Sequence, residues 1–315
     1  MDFIYLLIAC AFFALQFIFQ KLFEKRTVGG LSVCLWNQIV CCIVGSAFLL
    51  VKAGGVSLLA EPVTVPALMY ALLYSASGMI CSVATISAMG CGKVGAVGTY
   101  CLAGGMIVPF LYGILALGES AGLFKWLGML VLCASLVPSV MGSNSKSGEK
   151  TSVRFVVYSV IVFLTNGLVS VFSKMHQISP EAMTEDGFMI LGAGIRLAAG
   201  LAIILALASV KRMRGEKEAY RNAFWNIARV PMTWKLFAFL IVVAGTFSVC
   251  NTLGNLFSLR CMVTMDASIQ FPILSAVVIV LTALFGRIFF GEKITKGSAV
   301  SLLMSVAGIG LFMIP

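Results

Sequence analysis

The residues of this sequence that could do chemistry are few, and one stands apart. Arg196 interrupts the apolar segment 189–210, where a guanidinium needs a carboxylate, a carbonyl group or a bound ligand as its partner. Glu119, Asp266 and Glu292 lie at the ends of apolar segments, so none of them can pair with it inside a segment. Three interpretations of Arg196 are open. It binds backbone carbonyls and lines a wet cavity, it contacts an anionic group of a substrate, or it is a structural arginine that braces its helix or reaches the membrane interface.

Neutral polar side chains in the apolar segments form a second set of candidates. An amide in hydrocarbon needs hydrogen-bond partners, so it faces another helix or a polar cavity. Each one singly is more typical of a bond between helices, whereas the whole set favours a cavity for a small molecule. An aromatic ring among them could stack on a cationic or aromatic ligand. The candidate substrate contacts are Arg196, Gln16, Asn37, Tyr100, Asn166, Asn251 and Gln270.

The sequence lacks the signatures of membrane-embedded enzymes. It contains no HExxH, GxGD or GxSG motif, and its only histidine, His176, is expected in a loop. General acid–base chemistry would find almost no side chains inside the apolar segments. We therefore expect no enzyme, no catalytic residue, no metal and no cofactor. Proton coupling through an intramembrane carboxylate is disfavoured for the same reason.

The composition identifies a membrane protein. Of the 315 residues, 60% are hydrophobic and 11% are charged, whereas soluble domains carry about 25% charged residues. The charges separate apolar stretches that approach or exceed the roughly 20 residues needed to cross a bilayer. We predict an all-α protein with ten transmembrane helices, at 3–20, 31–51, 66–88, 94–117, 121–141, 154–174, 187–209, 236–257, 267–289 and 296–314.

These ten spans divide into two sets of five. Residues 1–141 form the first five-helix repeat, 142–153 a polar linker and 154–315 the second repeat. A unit with an odd number of spans must place its second copy in the opposite orientation. The pattern therefore predicts two inverted repeats, an arrangement typical of secondary transporters.

Matching residues follow the fourth span of each half. Gly118-Glu119 and Gly291-Glu292 occupy corresponding positions, where glycine permits a tight turn and glutamate complements the positive end of the next helix. Pro109 and Pro272 lie in the fourth and ninth spans, where a proline frees a backbone carbonyl and can kink the helix. We expect such kinks to serve gating.

Four local motifs occur together in this chain. They are the two Gly-Glu pairs, the stretch Asn166-Gly-Leu-Val-Ser-Val-Phe-Ser-Lys174, the arginine-bearing stretch Gly194-Ile-Arg196-Leu-Ala-Ala-Gly200, and Phe271-Pro272. In these motifs the sequence resembles the drug/metabolite transporter superfamily, in particular its EamA-type ten-helix permeases. The resemblance implies an exporter or exchanger of a small metabolite or drug-like molecule that works by alternating access. A membrane channel or a non-transporting receptor or scaffold is the alternative.

The basic residues predict an orientation in the cell membrane. They are concentrated on one side, above all in the loop 211–235, and the positive-inside rule assigns that side to the cytoplasm. Both termini are then outside. The net charge of +10 is explained by this topology rather than by nucleic-acid binding. The expected partners are a small-molecule substrate and the lipid bilayer.

Overall fold

The fold is all-helical, as the sequence predicts. The computed structural model describes residues 2–28, 31–53, 55, 60–91, 94–142, 153–213, 228–291, 296–312 and 314. Within these ranges the chain forms ten α-helices. They are α1 (Asp2–Arg26), α2 (Leu31–Lys52), α3 (Val65–Cys91), α4 (Val94–Ala116), α5 (Leu123–Gly142), α6 (Val153–Gln177), α7 (Glu185–Met213), α8 (Trp234–Thr264), α9 (Ala267–Phe290) and α10 (Lys296–Phe312).

Seven of the described helices, α1 to α3 and α6 to α9, are long and apolar enough to cross a bilayer. The described parts of α4, α5 and α10 contain shorter apolar stretches, at Tyr100–Ala116, Leu123–Val137 and Ala299–Phe312. Large apolar side chains also cover the outside of the bundle; Val51 and Leu115, for example, are both 81% exposed. An apolar surface of this extent needs lipid around it. The chain is therefore a multi-pass membrane protein.

Several helices extend beyond the predicted spans. The helix α8 runs from Trp234 to Thr264, although the predicted span ended at 257. Thr233 caps its start by accepting a hydrogen bond from the Leu236 amide. The predicted spans ended at charged and polar residues. A helix forms its own backbone hydrogen bonds, however, so it can continue beyond the apolar segment.

The two ends of the bundle are distinguished by their connections. At the Asp2 end, where α1 begins, lie the junctions α2–α3, α4–α5, α6–α7 and α8–α9. At the Arg26 end, where α1 ends, lie the junctions α1–α2 and α7–α8. Two links confirm this arrangement: the Lys52 ammonium reaches Asp186 at the Asp2 end, and Thr27 forms an antiparallel bridge with Ala228 at the Arg26 end.

The main helix contacts cross between the first five helices and the last five. The helix α1 packs along α8, and α6 packs along α3. In the same way α4 packs on α6 and α9 on α1, while α5 pairs with α10, α4 with α9 and α2 with α7. Glycines allow α4 and α6 to approach each other closely. A Cβ on Gly104 would overlap the α6 backbone at Phe163, and one on Gly167 would overlap Val108 of α4.

Two buried clusters set the position of the functional site. One surrounds Phe110 and joins α1, α4, α5, α8, α9 and α10. The other surrounds Phe188 and joins α2, α3, α7, α8 and α9 toward the Asp2 end. The space on the Arg26 side of this second cluster is left open and forms a cavity.

Candidate functional site

A cavity of about 790 Å³ lies among α1, α2, α3, α4, α7 and α8. Cavities of this size accommodate small-molecule ligands. Apolar side chains alternate in its wall with hydroxyls, amides and the thiols of five cysteines. The polar and charged residues of the wall are Gln20, Glu24, Thr27, Asn37, Gln38, Ser46, Ser82, Thr85, Arg196, Arg229, Ser248, Asn251 and Thr252.

The cavity opens at the Arg26 end of the bundle. Its rim includes the exposed residues Glu24, Val28 and Arg229. Nε of Arg229 donates a hydrogen bond of 2.7 Å to the carbonyl oxygen of Thr27, next to the bridge between Thr27 and Ala228. The segment that leads into α8 is thereby attached to the end of α1 beside the mouth.

The opposite end of the cavity is closed by the buried cluster around Phe188. Leu49 and Met189 line the cavity at this end and are 1% and 5% exposed. Behind them Tyr74 and Phe188 pack with ring centroids 5.3 Å apart, and Phe271 completes the layer. The cavity is therefore closed at the Asp2 end.

Arg196 lies in the cavity wall, on α7. Its Nε donates to the carbonyl oxygen of Gly192 over 3.3 Å, and its guanidinium carbon lies 5.1 Å from the ring centroid of Tyr74. It follows the start of α7 by eleven residues, or about 16 Å along the helix. Among the described residues, no carboxylate pairs with it. The structure thus places Arg196 in a cavity wall and gives its Nε a backbone carbonyl of α7 as partner.

Two of the candidate amides, Gln16 and Asn251, come together at the contact between α1 and α8. Asn251 lines the cavity and donates from Nδ2 to Oε1 of Gln16 over 2.7 Å. Nδ2 of Asn255 donates in turn to the Asn251 carbonyl oxygen, over 2.8 Å. Asn37 lines the cavity from α2, and its Oδ1 lies 3.9 Å from the thiol of Cys41. The amides thus join helices and also present polar groups to the cavity.

Tyr100 lies outside the cavity. Its side chain is 42% exposed on the surface of α4, with its ring edge-on to Phe155 of α6 at 6.4 Å. The sequence placed Tyr100 on a span without indicating which face of that helix it occupies.

Asn166 and Gln270 also lie outside the cavity and join helices. Nδ2 of Asn166 donates to the carbonyl oxygen of Cys101 over 2.7 Å and links α6 to α4. Gln270 is fully buried, and its Nε2 donates to the carbonyl oxygen of Ser258 over 2.8 Å, linking α9 to α8. Because a buried amide can be satisfied by a neighbouring backbone as well as by a ligand, the residue type alone did not separate these roles.

Glu119 contacts a different helix from the one we expected. The sequence suggested that it complements α5, the helix that follows it. Its two carboxylate oxygens instead accept hydrogen bonds of 2.7 Å from the Ala267 and Ser268 amides, at the start of α9. Gly118 has φ of 69°, and this left-handed turn directs the chain away from α4 before Glu119. A residue of the first half therefore caps a helix of the second.

The corresponding position in the second half is described in part. Gly291 has φ of 64° and ends α9 with the same left-handed conformation as Gly118. Glu292 lies outside the described residues. Pro109 and Pro272 are both buried within continuous helices, α4 and α9.

Two further links join the halves at the Asp2 end, and the sequence analysis did not identify them. Lys52 at the end of α2 pairs with Asp186 in the first turn of α7, with Nζ and carboxylate oxygen 2.8 Å apart. Glu61 accepts hydrogen bonds of 2.7 Å from both the backbone amide and the hydroxyl of Thr184, just before α7. In both links an acidic group lies at the positive N-terminal end of α7. Glu61 reaches this end from outside the helix, as Glu119 reaches the start of α9, and Asp186 lies in the first turn of α7 itself.

Lys174 and His176 are buried in the last turn of α6. The Lys174 ammonium donates hydrogen bonds of 2.6 Å to the carbonyl oxygens of Met262 and Met265, at the end of α8. His176 does not lie in a loop, as we expected; it is fully buried and stacks on Phe188 with ring centroids 3.9 Å apart. The prediction was wrong because α6 continues past Lys174, whose charge is satisfied by carbonyl groups rather than by water.

The sequence matches no protein-family model and no curated protein. The fold has a counterpart among solved structures: a crystal structure of a protein with 15% sequence identity is similar with a TM-score of 0.67, over 99% of this chain and 96% of that chain. At this level of identity the similarity establishes a shared fold, over almost the full length of both chains.

Proposed function

We propose that this chain is a secondary transporter that moves a small metabolite or drug-like molecule across the cell membrane by alternating access. The observation that carries the proposal is the cavity, which is open at the Arg26 end and closed at the Asp2 end. A carrier needs such a state, because its binding site must never be open to both sides at once. A channel in its open state would have a continuous path.

The proposal takes residues 1–141 and 154–315 as two inverted repeats, which move against each other. The helix contacts support this division: α1 on α8 corresponds to α6 on α3, and α9 on α1 corresponds to α4 on α6. The left-handed glycines Gly118 and Gly291 end the fourth helix of each half. Both features are expected if one five-helix unit occurs twice.

In the orientation predicted from the basic loops, the mouth of the cavity faces the cytoplasm. The Asp2 end, with its closed layer, then faces outward. The structure corresponds on this proposal to an inward-facing state. Together with the motifs that resemble EamA-type permeases, these features favour membership of the drug/metabolite transporter superfamily and transport without a catalytic reaction.

Accessibility of the cavity from both sides of the membrane tests the proposal. Cys41 lines the cavity, so a variant that keeps Cys41 and replaces the other nine cysteines by alanine carries a single reporter there. In oriented membrane vesicles, a membrane-impermeant thiol reagent should label Cys41 quickly from the cytoplasmic side. It should also label Cys41 slowly from the outside, because the outward-facing state is sampled less often.

The alternatives give other results. A channel would label from both sides at similar rates and conduct ions in planar bilayers. A receptor or scaffold with a fixed pocket would label from one side only, however long the exposure. Either result would contradict the transporter proposal.

A further inference from the structure

Arg196 brings into the inner part of the cavity a positive charge that pairs with no carboxylate among the described residues. The charged residues among the described lining are Glu24, Arg196 and Arg229. Glu24 and Arg229 are exposed at the mouth, where water surrounds them. Arg196 lies deeper, against Tyr74, in a wall whose other polar groups are neutral. The inner cavity therefore carries a net charge of about +1, since arginine stays protonated in proteins.

The contacts of Arg196 within the protein leave much of its guanidinium unused. Nε is satisfied by the Gly192 carbonyl, and the Tyr74 ring supplies a weak cation–π contact. The two Nη groups have no acceptor in the described part of the chain. An arginine at membrane depth requires a stronger partner than this. The Nη groups present a planar fork of donors, which matches a carboxylate with two parallel hydrogen bonds.

We infer that the cavity binds a small organic monoanion and that Arg196 holds its carboxylate. This inference rests on the transporter proposal and gives it a substrate class. One guanidinium neutralises one negative charge. A dianion would keep one charge without a partner among the described lining residues of the inner cavity, and a cation would face repulsion. A zwitterion would need a second, acidic group, and Glu24 at the mouth is the acid among the described lining residues.

The remainder of the ligand has a polar surface to contact on α2. Cys41 and Cys42 lie within electrostatic range of Arg196, and Asn37 is one helical turn, about 6 Å, nearer the mouth. Gln38, beside it, forms no hydrogen bond to another described residue and also lines the cavity. Amides at this position favour a ligand whose far end is polar and uncharged.

A pair of charged thiol reagents tests the charge of the site without knowledge of the substrate. The reporter is again Cys41, in the variant that lacks the other cysteines. Two methanethiosulfonates of similar size are compared from the Arg26 side, one with a sulfonate and one with a trimethylammonium group. The sulfonate reagent should react faster. Arg196→Gln should lower the ratio of the two rates by at least about tenfold, because the two reagents differ by two unit charges and Arg196 lines the same cavity as Cys41. Arg196→Lys should keep the preference.

Arg154→Gln is the matched control, because Arg154 is exposed at the start of α6 and does not line the cavity. It should leave the ratio unchanged. An unchanged ratio in Arg196→Gln, or an equal fall in Arg154→Gln, would overturn the inference.

Protection of Cys41 by small solutes then distinguishes the ligand classes. Hexanoate should slow labelling at least tenfold more effectively than hexanamide, adipate or inorganic phosphate, and Arg196→Gln should abolish this difference. Equal protection by hexanamide, stronger protection by adipate or phosphate, or no protection by any of the four would overturn the monoanion assignment. The transporter proposal fails separately, if Cys41 is never labelled from the Asp2 side. It stands if labelling is fast from the Arg26 side and slow from the Asp2 side, even without a charge preference.

Discussion

Glu119 is expected to hold the Asp2 end closed, and Glu119→Gln should weaken that closure. The two carboxylate oxygens accept 2.7 Å hydrogen bonds from successive amides at the start of α9, across the boundary between the halves. On the transporter proposal, the two halves separate when this end opens, and that separation breaks these hydrogen bonds. Glutamine has the same size but one acceptor oxygen, so it can keep one of these hydrogen bonds and loses the negative charge.

The size of the effect follows from the hydrogen bond that is lost. Hydrogen bonds to charged groups contribute about 1.5–3 kcal/mol each. Glu119 is half-buried, so part of this contribution is regained from water when the end opens, and we take the lower limit of about 1.5 kcal/mol. A difference of about 1.4 kcal/mol changes an equilibrium constant tenfold. The outward-open population should therefore rise about tenfold.

Labelling of Cys41 from the Asp2 side measures this population. The rate should rise about tenfold in Glu119→Gln, while the rate from the Arg26 side changes little. Glu181→Gln is the control, because Glu181 is exposed at the same end and its carboxylate accepts no hydrogen bond from another described residue. If the two variants label alike, or if Glu119→Gln only lowers the melting temperature, Glu119 stabilises the fold and does not control access.

Three further substitutions test the packing and the charges. Gly104→Ala should destabilise the protein by about 1–3 kcal/mol in thermal melting, because its Cβ would overlap the α6 backbone, whereas Gly98→Ala has open space and should melt normally. Lys174→Met should destabilise by about 1–3 kcal/mol, since two carbonyl groups at the end of α8 lose their donor; an unchanged melting temperature would show that water replaces it. Lys52→Ala should change outward labelling of Cys41 less than fivefold, because the pair with Asp186 is partly exposed. A larger change would make this ion pair a main element of the closure.

The sequence predicted the helices well because each apolar segment in lipid must form a helix. A cavity beside Arg196 was one of several interpretations of that residue, since a charge at that depth needs a polar partner. The sequence did not predict the partners of Asn166 and Gln270. An amide between helices satisfies itself on whichever backbone is adjacent, and that depends on the rotation of each helix rather than on the residue.

The same limit applies to the groups at the helix ends. A glutamate after a helix was sufficient to predict that it caps a helix, but Glu119 caps α9 because α4 and α9 pack together. The burial of His176 depends on α6 continuing beyond Lys174. That continuation requires the carbonyl groups at the end of α8, which are distant in sequence.

The polar chemistry of the Asp2 end is suited to reversible closure. Glu119, Glu61 and Lys52 each join the two halves there through a charged group near the membrane surface. When the end opens, water can hydrate each of these groups and recover most of the interaction, so the open and closed states differ by a few kcal/mol rather than by tens. If apolar packing alone closed the end, the groups exposed by opening would gain no comparable interaction with water. A free-energy difference of a few kcal/mol between the open and closed states can be reversed by one bound ligand. The ligand's binding free energies to the two states can differ by a similar amount.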